Sequence, residues 1–262
     1  MNFLRGAVFF TLMALTTILM GIVLSPTLLM GESAARAVGR FWASVVLAEL
    51  KIICGVDARY VSDARLPKGP AIVAANHQSM WETLFLFARL EKPAVIFKKE
   101  LAQVPVFGWW LVRSGSIVVD RKAGVKALRS MTEAAEARLA EGAQIVIFPE
   151  GTRTAPGETA RLQPGVAALY KKSTAPVVAV GHDSGRFWLH PDIAKKPGII
   201  SVSVAPPIEP GLPKGEFLDR LTTALRTARA DLQPANDETS SSTSRRDPPG
   251  ESQPFAQSGG AA

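Results

Sequence analysis

The stretch Ala74-Ala75-Asn76-His77-Gln78-Ser79-Met80-Trp81-Glu82-Thr83-Leu84 places one of the chain's three histidines five residues before a carboxylate. A histidine becomes a useful base when a carboxylate fixes its tautomer and stabilises the imidazolium formed on proton uptake. Spacing constrains the idea. On a continuous α-helix, residues i and i+5 diverge by roughly 140°, since each residue turns about 100°, so His77 and Glu82 meet only if His77 precedes the helix. The sequence allows this: Ala71-Ile72-Val73-Ala74-Ala75 reads as a buried strand and Ser79 as a helix N-cap. A second reading stands beside it. Ser79-Met80-Trp81-Glu82 fits the S-x-x-E capping box, in which Glu82 bonds the backbone N–H of Ser79 and does no chemistry. Spacing alone leaves Glu82 between these two roles.

A second constellation is Phe148-Pro149-Glu150-Gly151-Thr152-Arg153. A strand running into a glycine-containing turn exposes backbone N–H groups. Thr152 adds a hydroxyl, and Arg153 adds a planar fork of donors suited to phosphate. The alternative is a structural turn with Arg153 paired to Glu150. Lys98-Lys99 closes one apolar run and Arg121 comes after another, so cations gather at several expected strand ends, where ligand sites of open α/β sheets form. That convergence points to an anionic ligand. His182, next to Asp183, and His190, before Pro191, are lesser candidates.

These groups need a scaffold, and the chain alternates short apolar runs with helical patterns as an α/β domain does. Strands are expected at 70–75, 94–97, 116–119, 144–148, 176–180 and 199–204. Helices are expected at 79–90, 125–141, 164–172 and 216–230, and a broken helical or membrane-facing stretch at 101–112. The predicted fold is α/β, a mixed and largely buried sheet flanked by helices, with an N-terminal membrane-embedded helical anchor.

The anchor is inferred from Gly6 to Gly31, which carries no charged side chain. Ala7 to Met30 is long enough to cross a hydrocarbon core of about 30 Å at about 1.5 Å per residue. It is too long for the apolar region of a signal peptide, and no small-x-small cleavage site clearly comes after it. Arg36, Arg40 and Lys51 against Arg5 favour a cytoplasmic location for the chain beyond the anchor. Residues 38–56 read either as a returning span or as a packed amphipathic helix. The net charge of +7 suits an anionic membrane better than nucleic acid, given that apolar start. The single Cys54 excludes an intrachain disulfide and a multi-cysteine zinc site. Beyond Gln233 the composition turns to Ser, Thr, Pro, Gly and Gln, and residues 236–262 are expected to be disordered. The domain reading is therefore an anchor and adjoining helix at 1–56, a catalytic domain at 57–233 and a tail at 234–262.

Taken in order, Asn76-His77-Gln78-Ser79 with Glu82, Lys98-Lys99-Glu100-Leu101 with Pro105 and Gly108, Gly115 to Arg121, Phe148 to Arg153, and Pro176 to Val180 resemble the motif blocks of the glycerolipid acyltransferases. Glu82 stands where that family usually has an aspartate, and Gly181-His182-Asp183-Ser184-Gly185 where many relatives have Asn-Ser-Gly. The resemblance implies acyl transfer from acyl-CoA or acyl carrier protein to the sn-2 hydroxyl of lysophosphatidate. His77 would be the base and Glu82 its orienting group. Lys98, Arg121 and Arg153 would hold the phosphate, and Glu150, Gly151 and Thr152 the glycerol end. It implies no cofactor beyond the thioester substrate, no metal and no nucleic acid, and membrane lipid as partner at a bacterial inner membrane with the catalytic domain facing the cytoplasm. Acylation of another lyso-lipid, such as a lyso-ornithine lipid, is the nearest alternative; a non-catalytic protein binding anionic lipid is a more distant one.

Overall fold

The computed structural model describes residues 1–158, 160–230 and 232; the expected tail at 236–262 lies outside them. In chain order the regular elements are α1 (Asn2–Val23), α2 (Glu32–Cys54), β1 (Val56–Tyr60), β2 (Ala71–Ala75), α3 (Trp81–Arg89), β3 (Pro93–Lys98), α4 (Lys99–Ala102), α5 (Phe107–Arg113), β4 (Ile117–Val119), α6 (Val125–Ala140), β5 (Gln144–Ile147), α7 (Pro164–Lys172), β6 (Val177–His182), β7 (Gly198–Val204) and α8 (Lys214–Ala230).

The seven strands form one sheet in the order β1-β7-β6-β2-β5-β3-β4. Every neighbouring pair is parallel except β6 with β7. Parallel sheets are covered on both faces, so their strands read as unbroken apolar runs. Accordingly β2, Ala71-Ile72-Val73-Ala74-Ala75, is buried at every position. Its odd-numbered residues, Val73 and Ala75, join a core with Val46 and Leu50 of α2, Phe9 of α1 and Trp81 to Ala88 of α3. Its even-numbered residues, Ile72 and Ala74, join a second core with Met131 and Ala135 of α6, Val166 and Leu169 of α7, and Phe217 and Leu221 of α8. The chain is thus a three-layer α/β structure, as expected. The expected strands and helices are present, and one strand was missed. β1, Val-Asp-Ala-Arg-Tyr, is a sheet edge whose burial alternates, so it shows no apolar run.

The parallel arrangement has a direct consequence. The C-terminal ends of β2, β3, β4, β5 and β6 lie on one edge of the sheet, and the segments leaving that edge begin at Asn76, Lys99, Asp120, Phe148 and Asp183.

α1 is the one helix among the described residues long and apolar enough to cross a membrane by length and composition. One side of it is docked on the rest of the fold. A Cβ built on Gly6 would lie 1.9 Å from the carbonyl oxygen of Ile193, and one on Gly21 would lie 2.0 Å from Cγ1 of Val106, so glycine allows close approach near both ends. Between them Phe9 and Phe10 meet Trp188 edge-on. The Thr16 hydroxyl donates to Glu49 Oε1 at 2.5 Å, and Trp42 Nε1 donates to Thr17 Oγ1 at 3.0 Å. The opposite side, Leu4, Val8, Leu12, Leu15, Leu19 and Ile22, is exposed, at the i+3 and i+4 spacing of a single helical face. Of the two readings of residues 38–56, the packed amphipathic helix is the one observed: α2 buries Ala43, Val46, Leu50 and Cys54.

Candidate active site

The loop between β2 and α3 settles the geometry of His77 and Glu82. Helical hydrogen bonding begins only at Trp81, so residues 76–80 form a connection in which His77 turns back over the first helical turn. His77 Nδ1 lies 2.7 Å from Glu82 Oε1. The same oxygen accepts the backbone N–H groups of Gln78 and Ser79, each at 2.8 Å. Glu82 therefore does both things the spacing allowed. It meets the imidazole, and it satisfies the donors that a helix start leaves unpaired. Ser79 does not sit at the N-cap itself; its hydroxyl accepts from Trp81 N–H at 3.0 Å and donates to Glu82 Oε2 at 2.6 Å.

The second carboxylate oxygen also has a partner from the far end of the domain. Ser184 Oγ, in the segment after β6, is 3.0 Å from Glu82 Oε2 and 2.9 Å from Ser79 Oγ. Glu82 is fully buried. Burial alone would push its pKa up, but neighbouring His182, the His77 imidazole and the Ser79 hydroxyl outweigh that and hold it at about 2. It is an anion at neutral pH. With Glu82 accepting at Nδ1, the His77 tautomer carries its proton on Nδ1 and presents Nε2 as the basic nitrogen. The His77 ring stacks on Phe148, with centroids 4.2 Å apart and an interplanar angle of 18°.

The turn after β5 grips the same loop from the other side. Glu150 is buried; its Oε2 accepts the His77 backbone N–H at 3.0 Å and the Thr154 hydroxyl at 3.0 Å. Thr154 N–H donates to the His77 carbonyl at 2.8 Å. Arg153 Nε donates to the Ser79 carbonyl at 3.2 Å, so Arg153 spans toward the His77 loop instead of pairing with Glu150. Gly151 sits at φ +69°, the left-handed region that a side chain disfavours, and its carbonyl accepts from Arg121 Nη1 at 2.6 Å. Thr152 is exposed. His77, Glu82, Glu150, Gly151, Arg153 and Arg121 are thus joined through direct bonds or shared loops. Lys98 is exposed at the end of β3, in register with Val119 two residues before Arg121.

A cavity of about 570 Å³ lies beside this turn, lined by Arg121, Glu150, Gly151, Thr152 and Gln163 and by apolar residues including Leu128, Met131 and Phe148. Its volume falls in the roughly 300–1,000 Å³ range of small-molecule pockets. No group of three or more His, Cys, Asp or Glu among the described residues could hold a metal ion.

His182 has a different position from the one its sequence neighbour Asp183 suggested. It is buried, its Nε2 lies 2.7 Å from the Asn76 carbonyl, and its own backbone is held by the Asn76 side chain in a pair of bonds at 3.0 and 2.9 Å. Burial lowers its pKa, Glu82 opposing, and a neutral ring with the proton on Nε2 fits the carbonyl acceptor. His190 is exposed and carries a lowered pKa, through partial burial and then the nearby positive charge of Arg153. Sequence reasoning missed Ser184, Thr154 and Gln78, whose Oε1 accepts Gly185 N–H at 3.0 Å. Only the parallel pairing of β2 with both β5 and β6 brings these loops together, and no local spacing signals it.

Comparison with known proteins bears on the family and the fold. Residues 58–183 match the model of the Acyltransferase family. The chain is 32% identical over 171 residues to a 1-acyl-sn-glycerol-3-phosphate acyltransferase of Pseudomonas aeruginosa, covering 65% of this chain and 66% of that protein. It is 32% identical over 135 residues to the enzyme of the same name from Saccharomyces cerevisiae, covering 50% and 44%. The chain thus spans just under two thirds of the one relative and under half of the other. The crystal structure of the 1-acyl-sn-glycerophosphate acyltransferase of Thermotoga maritima superposes with a TM-score of 0.70 at 20% identity, over 88% of this chain and 97% of that one, which shows a shared fold. Residues 58–183 are thus similar to the Acyltransferase family domain.

Proposed function

From that similarity we propose that the protein transfers an acyl group from a thioester to the sn-2 hydroxyl of 1-acyl-sn-glycerol-3-phosphate, giving phosphatidic acid. The observation that carries the proposal is the contact of His77 Nδ1 with the buried Glu82 anion at 2.7 Å. In the reaction His77 Nε2 takes the proton of the acceptor hydroxyl as its oxygen attacks the thioester carbonyl carbon. The tetrahedral intermediate then expels the thiolate with cleavage of the C–S bond, and the proton returns from Nε2 to sulfur. Glu82 stays ionised and stabilises the imidazolium between the two steps. No acyl-enzyme is needed. The buried hydroxyls of Ser79 and Ser184 are engaged with a carboxylate, not with a base.

Arg153, Arg121 and Lys98 supply positive charge along the edge for the acceptor phosphate. Gly151 and Thr152 frame the glycerol end, with Glu150 behind them holding the His77 backbone. The donor is the thioester of coenzyme A or of an acyl carrier protein. Membrane association fits the exposed apolar side of α1, and we place that side in the cytoplasmic leaflet of a bacterial inner membrane, where lysophosphatidate dissolves.

The test is product formation by purified protein in mixed lipid vesicles, with lysophosphatidate as acceptor and acyl-CoA or acyl carrier protein thioester as donor. Phosphatidate is expected from the unaltered protein and none above background from His77→Ala. Unchanged turnover in His77→Ala would overturn the assignment. Product from a phosphate-free lyso-lipid alone would move it to another acceptor.

A further inference from the structure

We propose that Ser184 is a positioning residue of this reaction, clamping the second oxygen of Glu82 so that the first stays aimed at His77 Nδ1. The inference rests on the His77–Glu82 reading and goes beyond it, because Ser184 belongs to a segment 102 residues away in sequence.

The two oxygens of Glu82 are held differently. Oε1 meets His77 Nδ1 and two backbone N–H groups at 2.7 to 2.8 Å. Oε2 is held by side-chain hydroxyls, Ser79 Oγ at 2.6 Å and Ser184 Oγ at 3.0 Å. A carboxylate is planar, so fixing Oε2 fixes the direction in which Oε1 points. Ser79 is committed elsewhere too, accepting from Trp81 N–H at the start of α3, so its removal disturbs the helix. Ser184 is bound to the Glu82 and Ser79 pair alone through its hydroxyl, and it has 0% exposure. Closed off from solvent, its hydroxyl can act on turnover only through the Glu82 and Ser79 pair.

Ser184 is also well braced. Its neighbour Gly185 donates its N–H to Gln78 Oε1 at 3.0 Å, its own N–H faces His182 Nδ1 at 3.4 Å, and Asp183 Oδ1 accepts Ser201 N–H at 2.8 Å. The hydroxyl is therefore delivered from a rigid corner, which is what positioning requires.

The experiment compares steady-state kinetics of Ser184→Ala, Ser184→Cys, Glu82→Gln and the double variant Ser184→Ala/Glu82→Gln in the vesicle assay. Ser184→Ala is expected to lower kcat about tenfold, the size of one hydrogen bond to a charged group, with KM for acceptor and donor unchanged. Ser184→Cys, near in size and a weaker donor, falls between. Against Glu82→Gln, adding Ser184→Ala costs nothing further, because the carboxylate it clamps is gone. Wild-type kcat in Ser184→Ala overturns the proposal, as does a loss that persists in full in the Glu82→Gln background or one that appears in KM. If Ser184→Ala does not fold, Ser184→Cys carries the same readout. Activity surviving in His77→Ala would instead overturn the base assignment itself, so the two failures are distinguishable.

Discussion

His77 comes just after β2 and His182 closes β6, two strands in parallel register, so the two histidines lie at the same sheet edge within the field of the same carboxylate. His182 has 2% exposure, is neutral and spends its Nε2 proton on the Asn76 carbonyl. The His77 side chain keeps 17% exposure and spends Nδ1 on Glu82. A hydrogen-bonded histidine at a strand end is thus not by itself a base. What separates the two is which nitrogen the fold consumes and whether the partner is a carbonyl, which only fixes the ring, or a carboxylate, which also stabilises its charged form.

Breaking each side of the pair should give different losses. His77→Ala is expected to lower kcat by about 10³-fold or more, within the range for a positioned general base, with a smaller loss of thermal stability than His182→Ala; turnover in vesicles against calorimetry checks both halves. Glu82→Gln keeps the shape and loses the charge. It should cost about 10²–10³-fold in kcat through the lost imidazolium stabilisation and a misdirected tautomer, whereas Glu82→Asp, which keeps the carboxylate, retains more. Arg153→Ala should leave kcat within about threefold and raise KM for a phosphorylated acceptor roughly tenfold or more, the signature of a binding contact. His182→Ala should show the reverse pattern from His77→Ala: about 2–3 kcal/mol of stability lost through the abandoned Asn76 carbonyl and the cavity, read from urea melts, with a smaller effect on turnover.

Acid sharpens the contrast further. His182 has a folded-state pKa below its unfolded value, so the unfolded chain binds the extra proton first, and stability falls as pH drops below the ordinary histidine value of about 6.5. Glu82, at about 2 against 4.5, adds a second loss as pH falls from 4.5 toward 2. Urea midpoints measured from pH 7 to pH 3 should decline in both ranges. His182→Ala should flatten the first decline and shrink the second, because His182 is one of the neighbours that hold the Glu82 pKa down.

The contact of His77 with Glu82 and the surrounding cations were legible in the sequence because those features are local. The five-residue spacing, the apolar run before it and the Glu150 to Arg153 turn can be read without any tertiary contact. The sequence disclosed α3 and α6 through apolar periodicity, and β2, β5 and β6 through unbroken apolar runs. β1 escaped because Asp57 and Arg59 interrupt its apolar residues at an edge. Ser184, Thr154 and Gln78 escaped for another reason: serine, threonine and glutamine are ordinary loop residues, and only the strand order reveals what they face. The choice between base partner and helix cap at Glu82 was open because both geometries need the same residue at the same place, and the fold uses both at once.

The docking of α1 has a consequence for handling the protein. Phe9 and Phe10 pack on Trp188, Gly6 lies against Ile193, and the Asn2 carbonyl lies 3.4 Å from the Lys195 backbone nitrogen. Trp188, Ile193 and Lys195 all lie on the β6–β7 connection, which also carries Ser184. Deleting the first helix to obtain a more tractable soluble fragment would bare an aromatic socket and loosen the corner beneath Glu82. A preparation lacking α1 should therefore turn over slowly even on acceptors dispersed in detergent, and adding membrane would not restore it. Truncation of α1 is thus expected to cost turnover together with membrane association.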